Sequence, residues 1–308
     1  MKLIDFYSYK GGAGRSVTTL NTIPFIAQSL NASPEKPLIV FDMDLESAGI
    51  TFLVEEDKTF SKKNDDALKD VRDYLDGVIH IDNIYRPDEI CPILKNSVDI
   101  SKKVGYPIEN SILFMGVDDF DILKEYSSPS DLKKKIGSLK KYFRETAGLV
   151  FDSASGAQAI SQTLINCSHE IVVCLKVTSQ FRHGTLRFLE KIIFDSHEFK
   201  RGKITLLPVA ISKSEAKANR SMTYKKLALK DLQDKIEVFE KRISKDDNLQ
   251  IEFNKVFLKE ENFGIPEIES FKWQEKNLFY EKSRDITLEE DEEIGYRRFK
   301  LLGEELSK

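Results

Sequence analysis

The hydrophobic positions of this chain alternate between short, continuously apolar runs and longer stretches in which apolar residues return every three or four positions. Residues 37–41 form a continuous apolar run, and residues 3–7 form a run that only Asp5 interrupts; both have the length and character of buried parallel strands. The stretch between them predicts a helix that begins near residue 15 and runs through Val17, Leu20, Ile23, Ile26, Ala27 and Leu30. Because Pro24 falls inside this stretch, we expect the helix to be kinked or shortened there.

The same alternation returns in the second half of the chain. It predicts strands at residues 112–115, 149–151, 170–175 and 204–211, and helices at residues 131–146, 156–165 and 180–194. Mostly apolar strands that alternate with helices indicate an α/β fold with a doubly wound, mostly parallel sheet. Sheets of this kind bind ligands beyond the carboxyl ends of their strands.

Two segments interrupt the alternation. Residues 55–110 are polar and irregular and predict a peripheral layer, whereas residues 213–248 are long, charged and helical in composition. The second segment predicts a helical insertion or hairpin toward the C-terminal side. We interpret residues 264–268 as a late strand or a loop returning to the sheet, and residues 288–306 as a closing helix. The whole chain, 1–308, is interpreted as one domain.

Composition narrows the class of protein. With 41% hydrophobic and 32% charged residues, the chain is an ordinary globular protein. Its net charge of −4 gives no general argument for nucleic acid or an anionic membrane as a partner. The three cysteines have no metal-binding spacing, and the N-terminus begins with a strand instead of a signal peptide. The expected location is therefore the cytoplasm.

The most informative stretch follows the first strand directly and reads YKGGAGRS, residues 9–16. Three glycines allow a tight backbone turn that aims N–H groups at a phosphate, and the helix that follows adds its positive N-terminal end. The hydroxyl of Ser16 is placed to ligate Mg²⁺. The predicted nucleotide-binding residues of this loop are Gly11, Gly12, Ala13, Gly14, Arg15, Ser16 and Val17.

Carboxylates follow two of the predicted strands at the points where the strands end. Asp42 and Asp44 come after the second strand, and Asp152 follows the apolar run at 149–151. Since the carboxyl ends of parallel strands share one edge with the loop, these side chains should lie near a bound phosphate. Phosphoryl transfer needs mainly positioning and charge neutralisation, so this short set can suffice. Asp42 fits a structural role, capping a turn, as well as a functional one.

The loop fits the deviant phosphate-binding pattern K-G-G-x-G-K-[ST] at every position except Arg15. It resembles the loop of the ParA/MinD family of partitioning and positioning ATPases, and the arginine resembles a bacterial branch with K-G-G-V-G-R. The resemblance implies a P-loop fold, binding of ATP and ADP with Mg²⁺, and adenine as the base. It is specific at residues 3–49 and 148–158 and architectural elsewhere.

The resemblance also implies roles for individual residues. Asp44 matches the aspartate that positions the attacking water and the Mg²⁺ shell, and Asp152 matches the carboxylate that holds Mg²⁺ through water. The implied metal set is thus Ser16, Asp44 and Asp152. Gly156 matches a glycine whose N–H senses the γ-phosphate. Lys10 matches a lysine that reaches the partner's phosphates across a homodimer with ATP sandwiched between the subunits.

Three functions stay open at this level. The first is a slowly hydrolysing ATPase that acts as a dimerisation switch for a partner protein or surface, in partition, cell-pole positioning or a bacterial defence system. The second is a nucleotide-bound interaction module with negligible hydrolysis, since the Arg15 guanidinium is larger than the ammonium it replaces.

The third open function is ATP-regulated, non-specific DNA binding through a basic segment, for which a solvated helix face is the structural alternative. The residues of this segment are Lys213, Lys217, Arg220, Lys225 and Lys226. A membrane is not an expected partner, because the amphipathic run near the C-terminus is short and lies beside acidic residues.

Overall fold

The computed structural model describes residues 1–44, 47, 49–55, 97–116, 146–195, 199–211, 218–272 and 276–308. The helix predicted at residues 131–146 lies outside these ranges except for its last residue, and so does most of the layer predicted at residues 55–110.

Eight strands form one sheet in the described part of the chain, in the spatial order β3-β4-β2-β5-β1-β6-β7-β8. The strands are β1 Lys2–Tyr7, β2 Leu38–Met43, β3 Val98–Asp99, β4 Ile112–Met115, β5 Gly148–Ser153, β6 Glu170–Lys176, β7 Arg201–Val209 and β8 Gln250–Asn254. Neighbouring strands pair in parallel except β3 with β4. The predicted α/β fold with a mostly parallel sheet is therefore confirmed.

Helices cover both faces of this sheet. The described α-helices are α1 Arg15–Ser29, α2 Gly49–Glu55, α3 Ala159–Cys167, α4 Ser179–Glu190, α5 Ala218–Ile243, α6 Leu278–Ser283 and α7 Glu290–Ser307. Along β6, Val172 and Cys174 belong to the core under α1 and α7, whereas Ile171 and Val173 belong to the core under α4 and α5. Successive side chains of a strand point to opposite faces, so the sheet is buried on both sides, as in doubly wound folds.

Helices α1 and α7 approach each other closely at Gly303. A Cβ at this position would lie 2.5 Å from the Cβ of Phe25 and 3.0 Å from the backbone nitrogen of Ile26. Glycine is thus needed because the two helix backbones leave no space for a side chain. This contact fixes the closing helix, predicted at residues 288–306, against the helix that follows the loop.

Pro24 does not break α1, which continues from Arg15 to Ser29. Proline has no N–H, so the carbonyl of Leu20, four residues earlier, loses its helical donor. The side-chain amide of Asn277 donates to that carbonyl at 3.0 Å. A residue 257 positions away along the chain therefore replaces the missing hydrogen bond, which the helical periodicity alone could not reveal.

The charged segment predicted at residues 213–248 contains one long helix, α5. Its inner side packs on the core through Leu232, Ile236 and Phe239, which are buried. It leads to β8, which the sequence analysis did not predict. In β8, buried Ile251 alternates with exposed neighbours, the pattern of a strand with one solvated face.

Residues 264–268 form a loop that returns to the sheet, one of the two alternatives predicted for them. The backbone N–H of Ile265 donates to the carbonyl of Pro208 at 2.8 Å, and the N–H of Ile211 donates to the carbonyl of Ile265 at 3.1 Å. No helix within the described ranges has the length and apolar composition needed to cross a lipid bilayer.

Candidate functional site

The glycine-rich loop joins the end of β1 to the start of α1. Gly12 and Gly14 both have φ of +71°, a backbone conformation that side chains disfavour. Gly14 is the N-cap of α1, and its carbonyl accepts the N–H of Thr18 at 3.0 Å. Since α1 has no acidic residue in its first turn, its positive end faces the loop without a competing carboxylate from the same turn.

The strand register brings the predicted carboxylates to this loop. Strand β5 lies between β2 and β1 in the sheet. Near the end of β5, Asp152 pairs in register with Phe6 of β1 and with Asp42 of β2. Asp44 follows β2 directly and is buried, as is Asp152. The prediction that parallel strand ends would gather these groups is consistent with the observed positions.

Arg15 lies between the two predicted metal-binding carboxylates. Its Nε donates to Asp152 Oδ1 at 2.8 Å, and its Nη2 donates to Asp44 Oδ2 at 2.7 Å. The side chain is only 6% exposed. Burial disfavours the charged guanidinium, but the carboxylates of Asp152 and Asp44 outweigh this cost and raise the pKa of Arg15 above its ordinary value. The guanidinium is therefore a permanent cation inside the site.

Ser16 contacts the same carboxylate. Its hydroxyl donates to Asp152 Oδ2 at 2.7 Å and lies 3.4 Å from Nη2 of Arg15. Helix α2 approaches closely from the other side, because a Cβ at Gly49 would lie 2.5 Å from Ser16 Oγ. The glycine thus leaves the hydroxyl room beside the loop.

Asp42 has a structural environment. It accepts the N–H of Thr51 at 2.9 Å, the hydroxyl of Thr51 at 2.8 Å and the N–H of Asp44 at 3.1 Å. Burial and the neighbouring Asp152 raise the pKa of Asp42 to about 7, against the effect of these donors. The hydrogen bonds of Asp42 connect the start of α2 to the end of β2 and hold the backbone of Asp44 in place.

The oxygens gathered here fit a small divalent cation. Carboxylates and hydroxyls are the ligands that Mg²⁺ prefers, and Ser16, Asp44 and Asp152 supply them within one buried cluster. All three residues also contact Arg15, so the guanidinium and a metal ion would use the same oxygens.

Gly156 follows β5 and lies close to the end of β1; its role as a γ-phosphate sensor stays a prediction. It has φ of +86°, its N–H donates to the carbonyl of Ser8 at 3.1 Å, and its carbonyl accepts the hydroxyl of Tyr7 at 2.9 Å. In this structure, therefore, the N–H that would sense a phosphate is bonded to Ser8, the residue that precedes the loop.

Lys10 lies on the other side of the loop, beside α4. Its Nζ is 5.8 Å from the ring centroid of Phe181, and the Nζ of Lys176 is 5.9 Å from the same centroid. Two ammonium groups thus lie near one aromatic ring. Among the described residues neither lysine forms an ion pair, which leaves a positive surface next to the loop.

A cavity of about 230 Å³ opens beside the first turn of α1. Gly14, Val17 and Thr18 form one wall, and the segment from 265 to 272 forms much of the other. Most of the lining is apolar, which suits a flat heterocyclic base with a few polar contacts. Apart from Gly14 and Val17, sequence reasoning did not identify these residues, which are Thr18, Val209, Ala210, Ile265, Pro266, Glu267, Ile268, Phe271, Lys272 and Phe299.

The predicted DNA-binding segment is only partly described. Lys213 and Lys217 lie outside the described residues, and Arg220 lies on α5. Lys226 is exposed and forms an ion pair with Glu260 at 3.6 Å, whereas Lys225 lines a separate cavity of about 200 Å³. DNA binding by this segment stays a prediction.

Comparisons with known proteins establish the fold. No family model and no curated protein match the sequence. The structure is similar to that of a ParA family ATPase from Chlorobium tepidum, with a TM-score of 0.59, 11% identity and 98% of each chain covered. It is also similar to a Mg-ADP complex of the septum site-determining protein MinD from Pyrococcus horikoshii. For that protein the TM-score is 0.55 and the identity 16%, covering 100% of this chain and 96% of that one.

A third similar structure is a chain of the MinC:MinD cell division protein complex from Aquifex aeolicus. Its TM-score is 0.54 and its identity 13%, over 98% of this chain and 96% of that one. At identities this low the likeness concerns the fold. The chain thus has the fold of these ParA and MinD structures, as its loop predicted.

Proposed function

We propose that this ParA/MinD-like P-loop protein binds ATP with Mg²⁺ and hydrolyses it slowly, as a nucleotide-dependent dimerisation switch. The observation that carries the proposal is the convergence of a glycine loop, a helix N-terminus and two buried carboxylates at one edge of the sheet. Loop N–H groups and the helix end bind phosphate. The cavity beside Val17 accommodates the base.

Each group at the sheet edge has a distinct task in this function. Ser16 and Asp152 hold Mg²⁺, which when bound neutralises charge on the β- and γ-phosphates. Asp44 orients the attacking water. Gly156 exchanges its bond to the carbonyl of Ser8 for a γ-phosphate oxygen, which couples the segment after β5 to the nucleotide.

Dimerisation is assigned to the surface around Lys10. In the sandwich arrangement implied by the resemblance, Lys10 completes the partner's site, and a cation supplied in this way can raise the rate by about 10³–10⁵. The positive face shared with Lys176 and Phe181 supports contact with a phosphate-bearing surface. A partner protein would recognise the dimer; one structural neighbour is itself a complex of two proteins, MinC and MinD.

Solution mass measured by light scattering tests the switch. We expect the Asp44→Ala protein to be a dimer with Mg²⁺-ATP and a monomer with ADP, because slower hydrolysis preserves the ATP state. Turnover by Asp44→Ala should fall at least about 100-fold, which is typical when a group that handles the reacting water is removed. Wild-type turnover in that variant would contradict the role of Asp44.

Lys10→Ala tests the assignment across the interface, and Lys176→Ala is its matched control on the same ring. In the Asp44→Ala background, Lys10→Ala should abolish the ATP-dependent dimer while a fluorescent ATP analogue still binds. Lys176→Ala should retain the dimer. Equal losses in both variants would indicate that only the net positive charge of this surface matters.

A second candidate function is nucleotide binding with negligible turnover, which the contacts of Arg15 favour. A guanidinium bound to Asp44 and Asp152 holds two of the groups that hydrolysis needs. The Arg15→Lys variant separates the candidates, since a large gain in turnover would indicate that the arginine limits an otherwise complete ATPase.

For DNA as a partner, a salt-sensitive, ATP-dependent mobility shift of duplex DNA is the corresponding test.

A further inference from the structure

Arg15 contacts every residue assigned to the metal. Its Nη2 lies 2.7 Å from Asp44 Oδ2 and 3.4 Å from both Asp152 Oδ2 and Ser16 Oγ, and its Nε lies 2.8 Å from Asp152 Oδ1. The guanidinium therefore bridges two carboxylates with two different nitrogens. A lysine ends in one nitrogen and could not reproduce this planar, two-point contact.

The bridge is electrostatically necessary in this structure. Asp152 is fully buried and Asp44 is 7% exposed, so removing their cation would leave two negative charges with little access to water. Breaking a buried ion pair by deleting one partner is among the most destabilising single changes. Arg15 thus supplies the positive charge that a divalent cation would supply to the same oxygens.

We propose that Arg15 competes with Mg²⁺ for Asp44, Asp152 and Ser16, so that release of the guanidinium is a step in binding the Mg²⁺-nucleotide. This inference rests on the proposed function. The nucleotide and its metal together provide both replacements: a phosphate that accepts the guanidinium bidentately and a cation for the two carboxylates. Metal alone provides only the cation for the carboxylates, so it leaves the released guanidinium without an anionic partner.

Binding of Mn²⁺, followed by electron paramagnetic resonance, tests this competition without nucleotide or turnover. Wild-type protein should bind Mn²⁺ weakly, because Arg15 holds the oxygens. Arg15→Met removes the guanidinium but keeps an unbranched side chain, and it should bind Mn²⁺ at least about tenfold more tightly. Arg182→Met is the matched control, since the Arg182 side chain is also mostly buried, at 13% exposed, and is paired with Asp231 at 2.9 Å. That variant should bind Mn²⁺ as weakly as wild type.

Thermal unfolding with Mg²⁺ alone gives a second readout. In EDTA, the melting temperature of Arg15→Met should fall by roughly 10 °C, and millimolar Mg²⁺ should restore a large part of it. Wild type and Arg182→Met should not respond to Mg²⁺. If Arg15→Met does not fold, the double variant Arg15→Met/Asp44→Asn replaces it, because it has one buried charge fewer and should fold. The double variant should bind Mn²⁺ more tightly than wild type does, although it has lost one metal-binding carboxylate.

Two results would overturn the competition: Mn²⁺ binding by wild type as tight as by Arg15→Met, or a folded Arg15 variant that gains no metal affinity. A fluorescent ATP analogue, titrated with Mg²⁺ into the same proteins, separates this failure from that of the proposed function. Absence of nucleotide binding in wild type and every variant would refute the proposed function, whatever the Mn²⁺ result.

Discussion

Asp5 is a buried acid whose protonation should control the pH dependence of stability. It lies on β1 and is fully buried. Its Oδ1 accepts the hydroxyl of Ser153 at 2.5 Å, whereas its Oδ2 has no hydrogen-bond partner among the described residues. Burial raises the pKa of Asp5 from 3.8 to about 7, although the hydrogen bond from Ser153 and the charge of Arg15 oppose the rise. Between about pH 4 and pH 7 the folded protein therefore holds a proton there that the unfolded chain has released.

The sign and size of the effect follow from linkage. Because the folded pKa is higher than the unfolded one, the protonated acid costs nothing below pH 3.8, and stability falls as the pH rises from about 4 to about 7. A rise from 3.8 to about 7 corresponds to a loss of about 4 kcal/mol above pH 7, since each pKa unit is worth about 1.4 kcal/mol. The neutral amide in Asp5→Asn carries no such cost.

Urea unfolding from pH 5 to pH 9 measures this contribution. We expect Asp5→Asn to be more stable than wild type at pH 8, by up to about 4 kcal/mol, and the difference to shrink steadily toward pH 5. Asp247→Asn, at an exposed position, removes the same charge and should follow the wild-type profile. Parallel profiles for wild type and Asp5→Asn would refute the reasoning, because the raised pKa of Asp5 requires them to converge at low pH.

Two further predictions concern α1 and its surroundings. Asn277→Ala should lower the free energy of unfolding by about 1–3 kcal/mol, because it leaves the buried carbonyl of Leu20 without its donor. In a Pro24→Ala background the loss should be smaller, since the helix then supplies its own N–H, and an equal loss in both backgrounds, by denaturant titration, would contradict this. Gly49→Ala should weaken binding of a Mg²⁺-bound fluorescent ATP analogue, because its Cβ would lie 2.5 Å from Ser16 Oγ. An unchanged affinity would place Ser16 outside the binding site.

Much of the fold could be predicted because its signals are local. Strands β1, β2 and β5 are buried at nearly every position, and a strand buried on both faces is apolar along most of its length. The loop could be recognised for the same reason, since glycines at fixed offsets determine its backbone. β8 was missed because an edge strand of five residues with alternating polarity gives a much weaker signal.

From the sequence, the candidate site could be predicted only as the acidic residues that follow apolar strands, without the contacts between them. Asp44 and Asp152 were identified because each ends an apolar run. The contacts of Arg15 were not, because its partner Asp152 is 137 positions away along the chain. The cavity wall from 265 to 272 was not identified either, because its apolar residues look like ordinary core in the sequence.

By itself, then, the sequence determined the α/β alternation, the phosphate-binding loop and the acids at the strand ends, since backbone conformation and periodic burial act over a few residues. Only the tertiary structure decided which charges meet. The parallel register set Asp42 beside Asp152, and the turn at Gly14 placed the guanidinium of Arg15 between Asp152 and Asp44. Electrostatic pairing depends on distances of a few ångströms in space, and those distances exist only once distant segments have packed together.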